Sequence, residues 1–164
     1  MPWRPMTPQD LDQVQALAEV IHVSHPEDPD VLAERQRLYP HGCLMLIEDG
    51  RAIGYALTHP WRGEPPPLNR LLREIPACAT AYYIHDVALL PEARGQGHAA
   101  QIIARVAAHA REAGFGRLSL VAVNQSQSFW ERAGFRVIAD PGLDAKLASY
   151  GPGAVLMMRD LASP

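Results

Sequence analysis

Cysteine is scarce in this chain of 164 residues: there are two, Cys43 and Cys78, far apart and with no Cys-x-x-Cys or Cys/His spacing around either. That excludes a disulfide framework and a structural zinc site as the basis of the fold. An excess of positive charge is also missing. Fifteen Lys and Arg stand against eighteen Asp and Glu, a formal net charge of -3, so the molecule has no field that would hold a polyanion, and nucleic acid is not an expected partner. No stretch approaches the ~20 apolar residues that cross a bilayer, and Met1-Pro2-Trp3-Arg4-Pro5 has no long apolar run behind it. A protein without membrane attachment, located in the cytoplasm, is expected. Repeats and low-complexity tracts are absent as well.

What is present suits one domain spanning 1–164, because 48% of the residues are hydrophobic and a chain of this length builds a core of its own. Thr7-Pro8 reads as an N-cap with proline at the first helical position, and Leu11, Val14, Leu17, Ala18 and Ile21 recur at helical spacing, giving a helix to about Val23. The cluster His25-Pro26-Glu27-Asp28-Pro29-Asp30 breaks it, and Val31 to Tyr39 reads as a second helix. Cys43 to Ile47 and Ala52 to Thr58 then form a hairpin across Asp49-Gly50. Residues 60–76, with Pro65-Pro66-Pro67, predict a long loop carrying one short amphipathic turn at Leu68, Leu71, Leu72 and Ile75. Ala81 to Leu90 is a strand, Ala99 to Ala113 a helix stopped by Gly114, and Leu118 to Val123 a buried strand. Asn124 to Ala133 is a short helix, and Phe135 to Ala139 pairs with Ala154 to Met158 in a closing hairpin. The fold class is therefore mixed α/β, antiparallel at first, with a strand-helix-strand unit later.

The stretch richest in chemistry is Arg94-Gly95-Gln96-Gly97-His98-Ala99, between a strand and a helix. A glycine turn there exposes backbone N–H groups at a positive helix end, a site for a pyrophosphate. Gly95-Gln96-Gly97-His98-Ala99-Ala100 also fits the dinucleotide fingerprint. Against that reading, Pro91, Glu92 and Ala93 separate strand from turn, and the next strand ends at Asn124, not at an acidic residue that would meet a ribose.

With Arg94, Gly97 and Ala99 behind Pro91-Glu92-Ala93, and with Asn124, Phe129-Trp130 and Gly134-Phe135 following the next strand, the chain resembles the GNAT superfamily of acyl-CoA-dependent N-acetyltransferases in element order over essentially its whole length. The resemblance implies a mixed, mostly antiparallel sheet of six to seven strands, splayed between strands 4 and 5 and flanked by about four helices. It implies acetyl-CoA as co-substrate, no metal, and coenzyme contacts from Val87, Leu89, Arg94, Gly95, Gln96, Gly97, His98, Ala99, Asn124, Ser128 and Trp130. It implies acetyl transfer to a primary amine of a small molecule or peptide, by a monomer or homodimer. The alternative is a catalytically silent acyl-CoA-binding sensor.

Transfer from a thioester to an amine needs a base, a donor to the oxyanion and a departing thiolate. On the strand from Ala81, Tyr83 and His85 share one face by period two, and His85 is a candidate base. Asp86 falls on the opposite face of a regular strand, and the β-bulge that the resemblance implies would bring it round as a second candidate. The family commonly has a tyrosine where this chain has Trp130, and indole is no acid for a thiolate, which leaves Tyr83, Ser128, Tyr150 or water for that step. Trp61 and the acids Glu27, Asp28 and Asp30 are expected around the amine end, forming a rim that favours a cationic acceptor. His22-x-x-His25 alone does not make a metal site.

Overall fold

The computed structural model describes residues 2–22, 26–123 and 126–161. Seven strands among them form one sheet in the order β1-β2-β3-β4-β5-β7-β6. In chain order the elements are β1 (Trp3–Pro5), α1 (Leu11–Ile21), α2 (Pro29–Leu38), β2 (Cys43–Glu48), β3 (Arg51–Trp61), β4 (Ala81–Leu89), α3 (His98–Glu112), β5 (Arg117–Ala122), α4 (Gln127–Arg132), β6 (Arg136–Val137), α5 (Asp144–Ala148) and β7 (Val155–Asp160). α1 and α2 pack on one face, against β3 and β4, and α3 contacts β4 and β5. All neighbours pair antiparallel except β4 and β5. Those two are parallel and meet only at Tyr82↔Leu118 and Tyr83↔Ser119, after which they part, so the expected splay is present.

Local chemistry accounts for the main turns. Asp49 (φ 52°) and Gly50 (φ 75°) both take the left-handed conformation that a two-residue hairpin needs to match the strand twist. Helix α3 buries Ile102, Ile103, Val106, Ala107 and Ala110 as one stripe, and Gly114 (φ 92°) ends it. The core runs through both faces of the sheet, with Met45, Leu46, Leu57, Ile102, Leu118, Leu120 and Met157 fully enclosed. Truncating any one of them to alanine costs about 2–5 kcal/mol.

Several details differ from the sequence reading. Pro8–Asp10 is a 3-10 turn, and the α-helix begins at Leu11, because the Asp10 carboxylate turns back to the Thr7 backbone N–H at 2.8 Å and to Arg4. The expected helix end at Val23 lies outside the described residues. β1 was not anticipated, since three residues containing two polar-facing positions carry no periodicity. The chain from 62 to 80 is the loop expected there, irregular with bends and with two isolated turns, one of them at Leu68-Asn69. β3 continues through Pro60 and Trp61, whose partners Tyr82 and Ala81 extend the ladder. A fifth helix, α5, stands in the excursion between β6 and β7.

Candidate active site

The pairing of β3 with β4 slips by one residue: Leu57 faces Asp86 and the next residue, Thr58, faces Ile84. His85 is the extra residue of a β-bulge. Counting from the bulge, Asp86 and Ala88 now lie on the same face as Tyr83, opposite Leu57, Tyr55 and His59 of β3. The bulge thus brings Tyr83, His85 and Asp86, which a regular strand would divide, to the face covered by α1 and α2.

Two histidine–carboxylate pairs form there. His85 Nε2 lies 2.5 Å from Glu27 Oε1, with the imidazole only 4% exposed. Burial alone would push the Glu27 carboxyl up, but the charge and hydrogen bond of His85 and the backbone N–H of Asn69 outweigh it and hold the group at about 2. An ionised carboxylate only accepts, so Nε2 donates, and Nδ1 is the nitrogen of His85 left to take a proton. The other Glu27 oxygen accepts from Asn69 N at 2.9 Å. In the second pair His22 Nε2 lies 3.1 and 2.9 Å from the two oxygens of Asp86, and Tyr55 donates its hydroxyl to Asp86 Oδ2 at 2.6 Å. The hydrogen bond that His22 donates to Asp86 raises the His22 pKa, against burial and with help from the charges of Asp86 and Glu27.

Glu27 is therefore not part of an acidic rim. It is buried beneath the loop 62–80, while Asp28 and Asp30 remain exposed. His25 lies outside the described residues, and among those described no group of three His, Cys, Asp or Glu is arranged to hold a metal.

Beside this cluster a cavity of about 420 Å3 opens on the same face. Tyr83 and Ser119 line it at the last β4–β5 pair, Trp61 and Glu64 on the loop side, and Leu143 and Met158 on the far side. Tyr83 is fully buried next to Tyr150, and burial first, then that neighbour, push its phenol well above the usual range. The Tyr150 hydroxyl donates to the Pro66 carbonyl, so its proton is committed. His59 donates Nδ1–H to the Pro60 carbonyl at 2.8 Å, and burial pushes it down to about 3, so it is a neutral spacer between Trp61 and Tyr83. Arg35 and Glu34 form a fully enclosed pair at 3.1 Å on α2, and Glu34 also accepts the backbone N–H groups of Leu72 and Arg73.

The glycine turn sits at the end of β4 where the strands part. Gly95 (φ 77°) and Gly97 (φ 84°) are left-handed, and a Cβ at either would meet no atom within 4 Å. Gly97 caps α3 without a side-chain hydrogen bond, so the first N–H groups of this 15-residue helix have no acceptor within the helix. The side chain of His98 turns inward, 3.6 Å from Glu48, while its backbone stays in the turn. Arg94 and Gln96 fold back onto the carbonyls of Leu89 and Glu92. Val87 and Leu89 are half-buried on β4 along the opening, and Ser128 is exposed on α4. Trp130 is packed in the core against Phe135, ring centres 5.3 Å apart. Asn124 lies outside the described residues.

Tyr55 and the Arg35–Glu34 pair were not foreseen as site residues, while Glu27 was expected only as part of an exposed acidic rim and His22 only as one end of a His-x-x-His spacing. Glu27 and Arg35 sit among charged residues whose spacing looks like a solvated surface, and only the covering loop buries them.

A parallel strand pair that opens above a glycine-capped helix, with a buried histidine at its fork, defines an acyltransferase type of fold. The sequence profile of the Acetyltransferase (GNAT) family matches residues 10–135, and the chain belongs to that family. No curated protein is similar enough in sequence to match it. Among solved structures it is similar to the GphF GNAT-like decarboxylase in complex with isobutyryl-CoA (TM-score 0.80, 16% identity, covering 99% of this chain and 100% of that one). It is also similar to the loading GNATL domain of CurA from Lyngbya majuscula (0.81, 14%, 97% and 96%). A third is the ribosomal-protein-S18-alanine N-acetyltransferase from Escherichia coli (0.68, 13%, 99% and 94%). At these identities the likeness is one of fold. Among the described residues no helix is long and apolar enough to cross a membrane.

Proposed function

We propose that this protein transfers the acetyl group of acetyl-CoA to a primary amine by direct attack. The observation that carries the reading is His85 at the bulge, whose Nε2 is held by Glu27, so that Nδ1 is the nitrogen that exchanges a proton with substrate. The pyrophosphate of the coenzyme would rest on the N–H groups from Arg94 to Ala99, with its pantetheine arm along Val87 and Leu89 between the parted strands. His85 takes the proton of the incoming amine, directly or through water. The nitrogen adds to the thioester carbonyl, and a backbone N–H of β4 near Leu89 bears the oxyanion. The intermediate then expels the CoA thiolate. A thiol of pKa ~8.5 leaves adequately near neutral pH, so solvent suffices where Trp130 offers no acid. Asp86, with its oxygens held by His22 and Tyr55, is a positioning residue and not the base.

The test is CoA release from acetyl-CoA, read with a thiol reagent across polyamines, arylalkylamines, amino acids, aminoglycosides and peptide N-termini. Release that requires one amine class establishes the activity. Binding of acetyl-CoA without release for any of them overturns it in favour of a silent acyl-CoA sensor.

One observation favours a second reaction. Trp130 offers no acid for a thiolate at the position where the family commonly has a tyrosine, and decarboxylation, the activity named for the similar GphF structure, keeps the thioester intact. There the C–C bond to a β-carboxylate breaks, CO2 leaves, and His85 would protonate the resulting enolate carbon. CO2 release from a malonyl-type thioester in the absence of amine distinguishes the two.

A further inference from the structure

The other face of the sheet carries a second cavity, about 490 Å3, that neither reaction uses. Thr58 and Tyr82 form its floor, Arg105, Val106 and His109 of α3 one wall, and His41 in the turn after α2 another. The polar groups of the floor are satisfied internally. Thr58 donates to the Gly42 carbonyl at 2.8 Å, so Tyr82 donates to Thr58 at 2.7 Å. The Cys43 thiol is kept neutral, pushed up to about 12 by burial. What remains to a ligand there is an apolar, aromatic surface beneath basic groups.

Those groups converge. Arg105 and His109 lie one helical turn apart on α3, and the imidazoles of His41 and His109 stack at 6.4 Å and 25°. Among the described residues Arg105 has one hydrogen bond, to the Trp3 carbonyl at 3.2 Å, out of the five donors a guanidinium offers. Among the described residues no carboxylate lines the cavity. A cation would meet Arg105, and a neutral apolar molecule would leave its remaining donors unused.

We propose that this cavity binds a small organic carboxylate, with its apolar body on Tyr82 and Val106 and its carboxylate between Arg105 and the two histidines. The guanidinium fork matches a carboxylate, and an anion relieves the repulsion between two neighbouring imidazoles when they protonate. The groups that face His109 are His41 from the turn, Tyr39 from the end of α2 (hydroxyl 2.7 Å from Nε2), Tyr82 from β4, and Arg105 and Glu112 from its own helix. Burial first, then His41, hold the His109 pKa below its ordinary value, against Glu112. Binding of an anion therefore strengthens as pH falls.

The probe is 4-phenylbutyrate, with 4-phenylbutanol and 4-phenylbutylamine as matched controls, followed by the imidazole NMR signals of His41 and His109 in the intact chain. The carboxylate is expected to shift both signals saturably and to bind more tightly at pH about 6 than at about 8. Arg105→Gln is expected to weaken it about tenfold or more. Where loss of the Trp3 contact disturbs the fold of that variant, His41→Gln, at an exposed position, is expected to weaken binding about threefold and to flatten the pH dependence. Absence of saturation, equal binding of the alcohol, or unchanged binding by a folded Arg105→Gln or His41→Gln variant overturns the proposal. Displacement of the probe by CoA overturns it too, since the probe would then lie between β4 and β5. None of these readouts depends on acetyl transfer.

Discussion

A histidine whose Nε2 is committed to a carboxylate takes a proton only through Nδ1, and this fixes what each substitution around His85 should do. His85→Ala is expected to lower kcat by about 10²–10⁴ while acetyl-CoA affinity holds, measured by CoA release and by calorimetry. Glu27→Gln keeps an acceptor for Nε2–H but removes its charge. A smaller loss is expected, with a displaced limb of the pH–rate profile, and an unaltered profile would remove Glu27 from the mechanism. The neighbouring pair is tested by Asp86→Asn. His22 has a raised folded-state pKa, so its contribution to stability is complete below the ordinary 6.5 and is lost as pH rises through the higher folded value. In Asp86→Asn the His22 proton signal should titrate lower than in the parent chain, because burial is then opposed by the charge of Glu27 alone, and the stability advantage of the parent chain on the acid side should shrink.

At the level of elements, the end of β4 and the start of α3 act together. Gly97 at φ 84° has room around it in the protein, so a side chain there meets two penalties: the left-handed backbone, and whatever anion rests on the helix end. Gly97→Val is expected to weaken acetyl-CoA binding about tenfold or more with only a modest fall in Tm, and unchanged affinity would sink the phosphate assignment. This turn was readable from the residues alone, since glycine spacing between a strand and a helix is a local pattern. The bulge at His85 is different. Tyr83 and His85 on one face follow from alternation, but the return of Asp86 to that face needs the partner strand, because a bulge is a mismatch between two strands and one sequence holds no record of it.

Across the whole molecule, the irregular loop 62–80 is tied to the body at several points besides the Asn69–Glu27 bond. Glu34 of α2 accepts from Leu72 and Arg73, Lys146 pairs with Glu64 at 3.2 Å, and Tyr150 reaches the Pro66 carbonyl. Two of these join the loop to the excursion between β6 and β7, so the walls of the cavity come from segments far apart in sequence. Tyr150→Phe is expected to cost about 1 kcal/mol. Hydrogen exchange should quicken in both 62–80 and 138–154, and KM for the amine should rise more than kcat falls. Exchange that rises in one segment alone would show that the tie does not couple them.

The sequence by itself determined the class of fold, the hairpin at Asp49-Gly50, the stripe of α3, the glycine turn and the candidacy of His85, because each of these is set by residues within about two turns or one strand of one another. Tertiary structure decided the partners. Glu27 and Arg35 look like surface charges until the proline-rich loop covers them, and His22 looks incidental until the end of α1 meets β4. Trp130, second of an aromatic pair, turns into the core while Phe129 stays outside. Burial and pairing are properties of what the rest of the chain brings to a residue, and those contacts, up to 64 positions apart for His22 and Asp86, leave no periodic trace in the residues that make them.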